Sequence, residues 1–316
     1  MRIQHHCFIG ALVLLPASAF ACSSCGCTLS SDWDSQGLSA SSGFRIDLRD
    51  DFIDQSQLRT GTGVVDRSKF VFPQEREIEQ GTINRYTTLG LDYSPNADWG
   101  INLQLPYIDR MHQTIAEGDT AVSSSRSGGI GDMRVLARYQ GFSPQHNVGI
   151  EFGLKLPTGR HDDLFANGPQ AGQPLDRGLQ LGSGTTDLLL GVYKFGAINQ
   201  DFDWFAQGIA QIALDSRDDY RTGASLNLNA GLRYMANPAF TPQLQINTRV
   251  SRRDTGIEAD VDNSGGTLID LSPGITAEIS HRLHAYGFVQ MPIYQRVNGF
   301  QLAPRWTASV GLHYAF

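Results

Sequence analysis

Three cysteines fall within one short stretch, Cys22-Ser23-Ser24-Cys25-Gly26-Cys27, and none follows it. Thiols at this spacing suit one disulfide with a spare thiol, a lipidated Cys22 acting as a tether, or a soft-metal site for Cu or Zn held by Cys22, Cys25 and Cys27. No His follows at finger-like spacing and a fourth ligand is missing, so all three readings stay open. Further along, Asp260-Val261-Asp262-Asn263-Ser264-Gly265 has the alternating oxygens and the glycine of half a calcium loop, but Leu271 stands where its final acid belongs. A plain Asp/Asn/Gly loop explains it better. Gly182-Ser183-Gly184 lacks the helix that a nucleophile elbow needs, and His161, beside Asp162 and Asp163, has no obvious Ser partner. No enzyme is expected.

The larger supply of chemistry is a set of charges recurring at alternate positions. Arg134, Arg138, Glu151, Lys155, Arg233, Arg249, Asp270 and Glu278 each fall on the polar side of a segment in which polar and apolar residues alternate, as do Arg49, Asp51, Asp132, Asp187, His284 and His313. Both signs are present. They either pair across an interior and fill it or line a wet passage, and the first eight are the expected pore-lining residues.

Alternation of this kind is a property of strands, whose side chains project to opposite faces with period two. In Arg305 to Phe316, Trp306, Ala308, Val310, Leu312, Tyr314 and Phe316 point one way while Arg305, Thr307, Ser309, Gly311, His313 and Ala315 point the other. Ser225 to Tyr234 and Gln243 to Ser251 repeat the pattern. Helical spacing would put the polar residues on every face. Twelve such segments occur, near 43–53, 82–94, 98–108, 130–141, 146–157, 185–196, 201–214, 224–235, 240–252, 268–279, 282–294 and 305–316. Each is close to the roughly 10 residues with which a tilted strand crosses a bilayer. Their connections alternate between short turns (95–97, 142–145, 197–200, 236–239, 280–281) and long segments rich in Gly, Asp and Ser (54–81, 109–129, 158–184, 215–223, 253–267, 295–304). A water-soluble sandwich has no reason to sort its loops in this way.

The predicted fold is all-β: a single transmembrane antiparallel up-and-down β-barrel of about 12 strands, with short periplasmic turns, long extracellular loops and both termini in the periplasm. Tyr and Trp collect where lipid meets water, and Tyr93, Trp99, Tyr139, Phe142, Phe195, Trp204, Tyr234, Phe240, Tyr314 and Phe316 are all expected at the periplasmic rim. The terminal Phe316 is the expected signal to the barrel-assembly machinery, and outer-membrane lipid the expected surroundings. Residues 1–21 read as a signal peptide, with Arg2, an apolar run and Ala19-Phe20-Ala21. Residues 22–42 form a periplasmic Cys-containing segment and 43–316 the barrel. With 25 Lys+Arg against 32 Asp+Glu, a net charge of -7 and no apolar run of spanning length, the composition excludes a helical membrane protein and argues against nucleic acid.

Gly129-Ile130-Gly131-Asp132-Met133-Arg134-Val135, then Gly153-Leu154-Lys155-Leu156-Pro157-Thr158-Gly159, then Leu179-Gln180-Leu181-Gly182-Ser183-Gly184-Thr185-Thr186-Asp187 resemble the outer-membrane family of phenol meta-pathway degradation proteins, often labelled transporters. The resemblance implies a barrel that passes organic compounds and brings no catalytic residues. The expected function is a porin-like channel for small, including aromatic, organic molecules. The alternative is a closed barrel acting as a structural or interaction protein whose Cys head binds metal or a redox partner. Parity further predicts that Arg is costly at Leu228, Leu244 and Val310 and tolerated at Asn229, Gln245 and Ser309.

Overall fold

The alternating segments pair with their neighbours in sequence. The computed structural model, which describes residues 42–237 and 239–316, contains β1 (Gly43–Gln55), β2 (Gln57–Gly61), β3 (Gly63–Val64), β4 (Ile78–Ser94), β5 (Trp99–Ile115), β6 (Ser123–Ile130), β7 (Met133–Tyr139), β8 (Val148–Leu156), β9 (Asp187–Ala197), β10 (Phe202–Ala213), β11 (Ser225–Tyr234), β12 (Phe240–Ser251), β13 (Gly266–Ser280), β14 (Leu283–Ala303) and β15 (Trp306–Ala315). Both β6 and β7 pair with β5, so they are one stave broken at Gly131-Asp132, and the wall has twelve staves. Every stave is antiparallel to the next. The ring closes where β1 meets β15, from Arg45 opposite Ala315 to Asp54 opposite Trp306. Closure leaves no stave with an unpaired edge, which is the condition for a sheet to stand in hydrocarbon.

Alternation sets the two faces. On β11 and β12, Leu228 and Leu244 are 44% and 45% exposed on the outer face, while Gln245 and Asn247 are fully buried inside. Aromatic rings gather at the end with the short turns: Trp99 lies 4.8 Å from Tyr139, Tyr139 4.9 Å from Phe142, Phe202 5.1 Å from Tyr234, and Phe44 5.4 Å from Phe316. Phe195 is the exception to the expected rim. It follows Tyr193 onto the lumen side, where the two rings stack 6.5 Å apart, because two residues along a strand return to the same face. Inside, the Tyr193 ring lies against Gly149, where an added Cβ would come within 2.2 Å of it.

The staves are taller than the alternation of apolar residues suggests. β4 and β5 have 17 residues each, β5 and β6 meet across a loop of only 116–122, and β14 runs on to Ala303. Segments expected as loops at 54–81, 109–129 and 295–304 are therefore partly strand. Above the membrane the hydrogen-bonded ladder continues, but neither face touches lipid, so the apolar signal stops while the strand does not. β2 joins this raised rim by pairing with β14, and Leu58, Ile78 and Leu302 pack together there.

Arg placed at Leu228, Leu244 or Val310, each on the outer face, should destabilise the barrel by about 2 to 4 kcal/mol, measured by urea unfolding in bilayers. The inward partners Asn229, Gln245 and Ser309 are themselves buried. Asn229 accepts from Asn247 at 2.8 Å and Ser309 donates to Asp51 at 2.6 Å within a packed interior. Arg at Asn229 or Ser309 should therefore also lower the midpoint, by overpacking of about 1 to 3 kcal/mol.

Candidate functional site

Asp132 sits at the break between β6 and β7, Lys155 near the end of β8, and Ser183 in the segment that leads into β9. Barrel closure brings all three together. The Lys155 Nζ donates to Asp132 Oδ2 at 3.1 Å and lies 3.1 Å from Asp187 Oδ2, and it also contacts the Ser183 hydroxyl. Asp132 in turn accepts from the Gly159 N–H at 3.1 Å, and from the Ser183 N–H at 2.9 Å and hydroxyl at 2.8 Å. Thr158 Oγ1 donates to the Gly131 carbonyl at 2.8 Å and accepts from the Met133 N–H at 2.9 Å. The backbones at Gly159 and Gly182 approach so closely that a Cβ on Gly159 would lie 2.7 Å from the Gly182 Cα. An ammonium surrounded by two carboxylates and a hydroxyl is a structural donor, so Ser183 and Lys155 do not form a nucleophile and its base.

This knot fastens both ends of the segment 160–182 to the wall, and the segment folds into the barrel mouth as a plug. Phe165, Leu175 and Leu179 form its own small core. Gln180 stitches it internally, accepting from the Asp163 N–H at 2.8 Å and donating to the Leu175 carbonyl at 2.8 Å. Arg110 of β5 holds its inner face, donating to the Gln180 carbonyl at 3.1 Å and to Tyr86 at 2.8 Å. Arg177 is turned aside, 5.1 Å from the Tyr220 ring and 3.7 Å from Asp218.

Beneath the plug lies a chamber of about 230 Å³. Its lining carries Arg49, Arg110, Arg134, Lys155, Arg177 and Arg249 against only two carboxylates, Asp51 and Asp132, together with the apolar surfaces of Tyr86, Pro106, Ile108 and Leu181. On the other side of Arg177 and Gly178 is an outer vestibule of opposite sign, lined by Glu77, Glu79, Asp176, Asp254 and Asp260. The surrounding protein encloses Glu77, and this loss of hydration, with the nearby Asp176 and Asp260 charges, pushes its carboxyl up to about 7. Asp176 is raised to about 6, first by enclosure and then by Asp260.

The expected pore-lining residues divide between two layers. Arg134, Lys155 and Arg249 face the chamber. Toward the periplasm the lumen is filled by paired side chains instead. Arg138 is 4% exposed and donates to Asp92 at 3.5 Å and Ser94 at 3.0 Å, in a cluster with Arg45. Arg233 pairs with Asp203 at 2.7 Å and Glu151 accepts from Gln207 at 3.0 Å. Asp270 is buried on β13, and Glu278 pairs at 3.0 Å with His281 at the turn into β14. Sequence reading missed Arg110, Arg177, Gln180 and Tyr220 as lining. Arg110 alone left a signal, since the inward parity of Ile108 continues through Arg110 and His112. His284 and His313 face inward as expected, their rings 6.5 Å apart. His161 meets Asp218 at 3.2 Å rather than a serine. In the 260–265 loop the oxygens are used internally, Asp260 accepting from the Asn263 side chain at 2.9 Å and Asp262 from Arg253 at 2.8 Å. Among the described residues no group of three His, Cys, Asp or Glu side chains is placed to hold a metal ion. Cys22, Cys25 and Cys27 lie outside the described residues.

Residues 66–297 match the model of the family described as "Putative MetA-pathway of phenol degradation". An outer-membrane channel from Pseudomonas putida F1 superposes with a TM-score of 0.65 at 13% identity, over 91% of this chain and 99% of that one. The β domain of the Bordetella autotransporter BrkA superposes at 0.52 with 12% identity, over 87% and 100%. Both likenesses are those of an outer-membrane barrel. No curated protein matches the sequence.

Two outcomes follow from the knot and the vestibule. Gly159→Ala has no room for its methyl and should weaken plug docking by about 1 to 3 kcal/mol; limited proteolysis should then cut within 160–182 faster than in wild type while the barrel stays heat-modifiable. Glu77 and Asp176 bind protons more tightly in the folded vestibule than in an unfolded chain. Their contribution is fully present below the ordinary carboxyl range and is lost as pH rises through about 6 to 7. Amide hydrogen exchange across 174–181, corrected for its intrinsic pH dependence, should show less protection at pH 8 than at pH 5, and Glu77→Gln should flatten the difference.

Proposed function

The chain belongs to the family of the MetA pathway of phenol degradation, and from that premise we propose that it is an outer-membrane channel for passive passage of small organic molecules, aromatic ones included. The observation that carries this reading is the chamber. A barrel serving only as a scaffold has no use for a cavity in which cationic groups outnumber carboxylates and an apolar wall stands opposite them. Fixed positive charge in a water-accessible passage draws anions and repels cations. The plug narrows the outer entrance, so passage requires it to shift. The same reading takes Phe316, packed on Phe44 where the barrel closes, as the mark recognised by the assembly machinery.

A second reading, a closed barrel with a structural or interaction role, is favoured by the packed periplasmic floor, where Gln245 and Asn247 are fully buried. The Cys head, as a disulfide, a lipid tether or a Cu or Zn site, would then be its contact with periplasmic partners.

Planar-bilayer recording separates the two. The channel reading expects wild-type conductance with anion preference, and a shift of the reversal potential toward cations when Arg134 and Arg249 are both replaced by Gln. Silence of both the wild type and Gly159→Ala would leave the closed barrel standing.

A further inference from the structure

We propose that the chamber under the plug is a binding site for a carboxylate carried on a small apolar body, with Arg134 taking the carboxylate. This deepens the channel reading and rests on it for its biological sense.

Arg134 is the cation in the chamber that has nothing to hold. Among the described residues it has no hydrogen-bond or ion-pair partner, whereas Lys155 is occupied by Asp132 and Asp187, and Arg110 by Asn84, Tyr86 and Gln180. Arg49 and Arg249 are near enough to repel it, while Asp187 and Asp132 attract it without bonding to it. Arg49 donates to Asp51 at 2.8 Å and Arg249 to Asn227 at 3.0 Å. Asp51 is doubly engaged, by Arg49 and by Ser309 at 2.6 Å. The chamber's carboxylates are thus satisfied by neighbours, and the charge left over is positive. The guanidinium is exposed to the chamber, where an entering carboxylate can meet it and form a charge-assisted pair.

The rest of the cavity selects the kind of anion. Its planar donor fork matches a carboxylate held through two parallel hydrogen bonds. Pro106, Ile108 and Leu181 offer an apolar wall, which suits a ring or a short branched chain. The volume of about 230 Å³ is below the range of about 300 to 1,000 Å³ usual for drug-sized guests. One ring with one carboxylate fits that size; an oligosaccharide does not.

Benzoate is the test probe, titrated calorimetrically into the full-length folded protein in detergent, with benzyl alcohol (ring without charge) and acetate (charge without ring) alongside. Benzoate should bind one per barrel and at least about tenfold more tightly than either comparison solute. Arg134→Gln should weaken benzoate at least about tenfold and leave benzyl alcohol unchanged, while Arg134→Lys, which keeps the charge and loses the fork, should fall between. Unaltered benzoate affinity in Arg134→Gln overturns the proposal, and so does benzyl alcohol or acetate binding as tightly as benzoate. Heat-modifiable migration verifies folding; if Arg134→Gln does not fold, wild-type affinity in Arg134→Lys overturns the proposal and weakened affinity supports it. Bilayer recording then distinguishes the two levels. Binding without conductance in any condition retains the site and removes the channel; conductance without benzoate binding or block removes the site and retains the channel.

Discussion

A strand in hydrocarbon has no water to take its N–H and C=O groups, so every backbone pair must be made within the sheet and the sheet must close. The meeting of β1 with β15 answers that constraint, and the remaining architecture depends on it. Closure forces one face of all twelve staves into a common interior, so polar side chains on that face must find partners there. It also sets segments far apart in sequence opposite one another at fixed heights. Asp132 and Ser183, separated by 51 positions, become hydrogen-bond partners for this reason.

The interior meets the demand for partners in different ways along its axis. Near the periplasm, oppositely charged and amide side chains pair around Asp92, Asp203 and Glu151, and the lumen is filled. Halfway up, the knot at Asp132 and Lys155 uses its polar groups to fasten a loop to the wall. Only between these layers does the lining carry more cation than anion and leave Arg134 unsatisfied. An exposed guanidinium that no protein group holds, facing a cavity, is placed to receive an anionic ligand. The acids of the outer cavity and the arginines of the chamber meet at Arg177 and Gly178. Proton uptake by Glu77 and Asp176 near neutrality lowers the negative charge of that cavity.

The glycine- and threonine-rich motifs gain a physical role in this arrangement. Gly159 and Gly182 permit a backbone approach that any side chain would block. Thr158 bridges the broken stave at Gly131, and Asp132 collects donors from the start and the end of the plug. These residues therefore specify where a loop docks and supply no reactive group.

Much of the barrel was legible in the chain. Period-two alternation is imposed by the strand backbone itself, so staves, their facing and their count of twelve could be read locally, and the sorting of short and long connections oriented the barrel. The rim of Trp99, Tyr139 and Tyr234 followed from where the strands end, and the inward placement of Arg134, Lys155 and Arg249 from the parity. Tertiary structure alone decided which inward charges face water and which are spent on one another. Arg138 and Arg134 are indistinguishable by alternation, yet one is locked to Asp92 and the other opens into the chamber. It also decided that residues 160–182 turn inward, because a loop without alternation carries no period to read and its position depends on contacts with Asp132, Lys155 and Arg110 that exist only once the ring is closed. Local backbone geometry repeats along a sequence and shows itself there; partnerships made across a closed barrel do not.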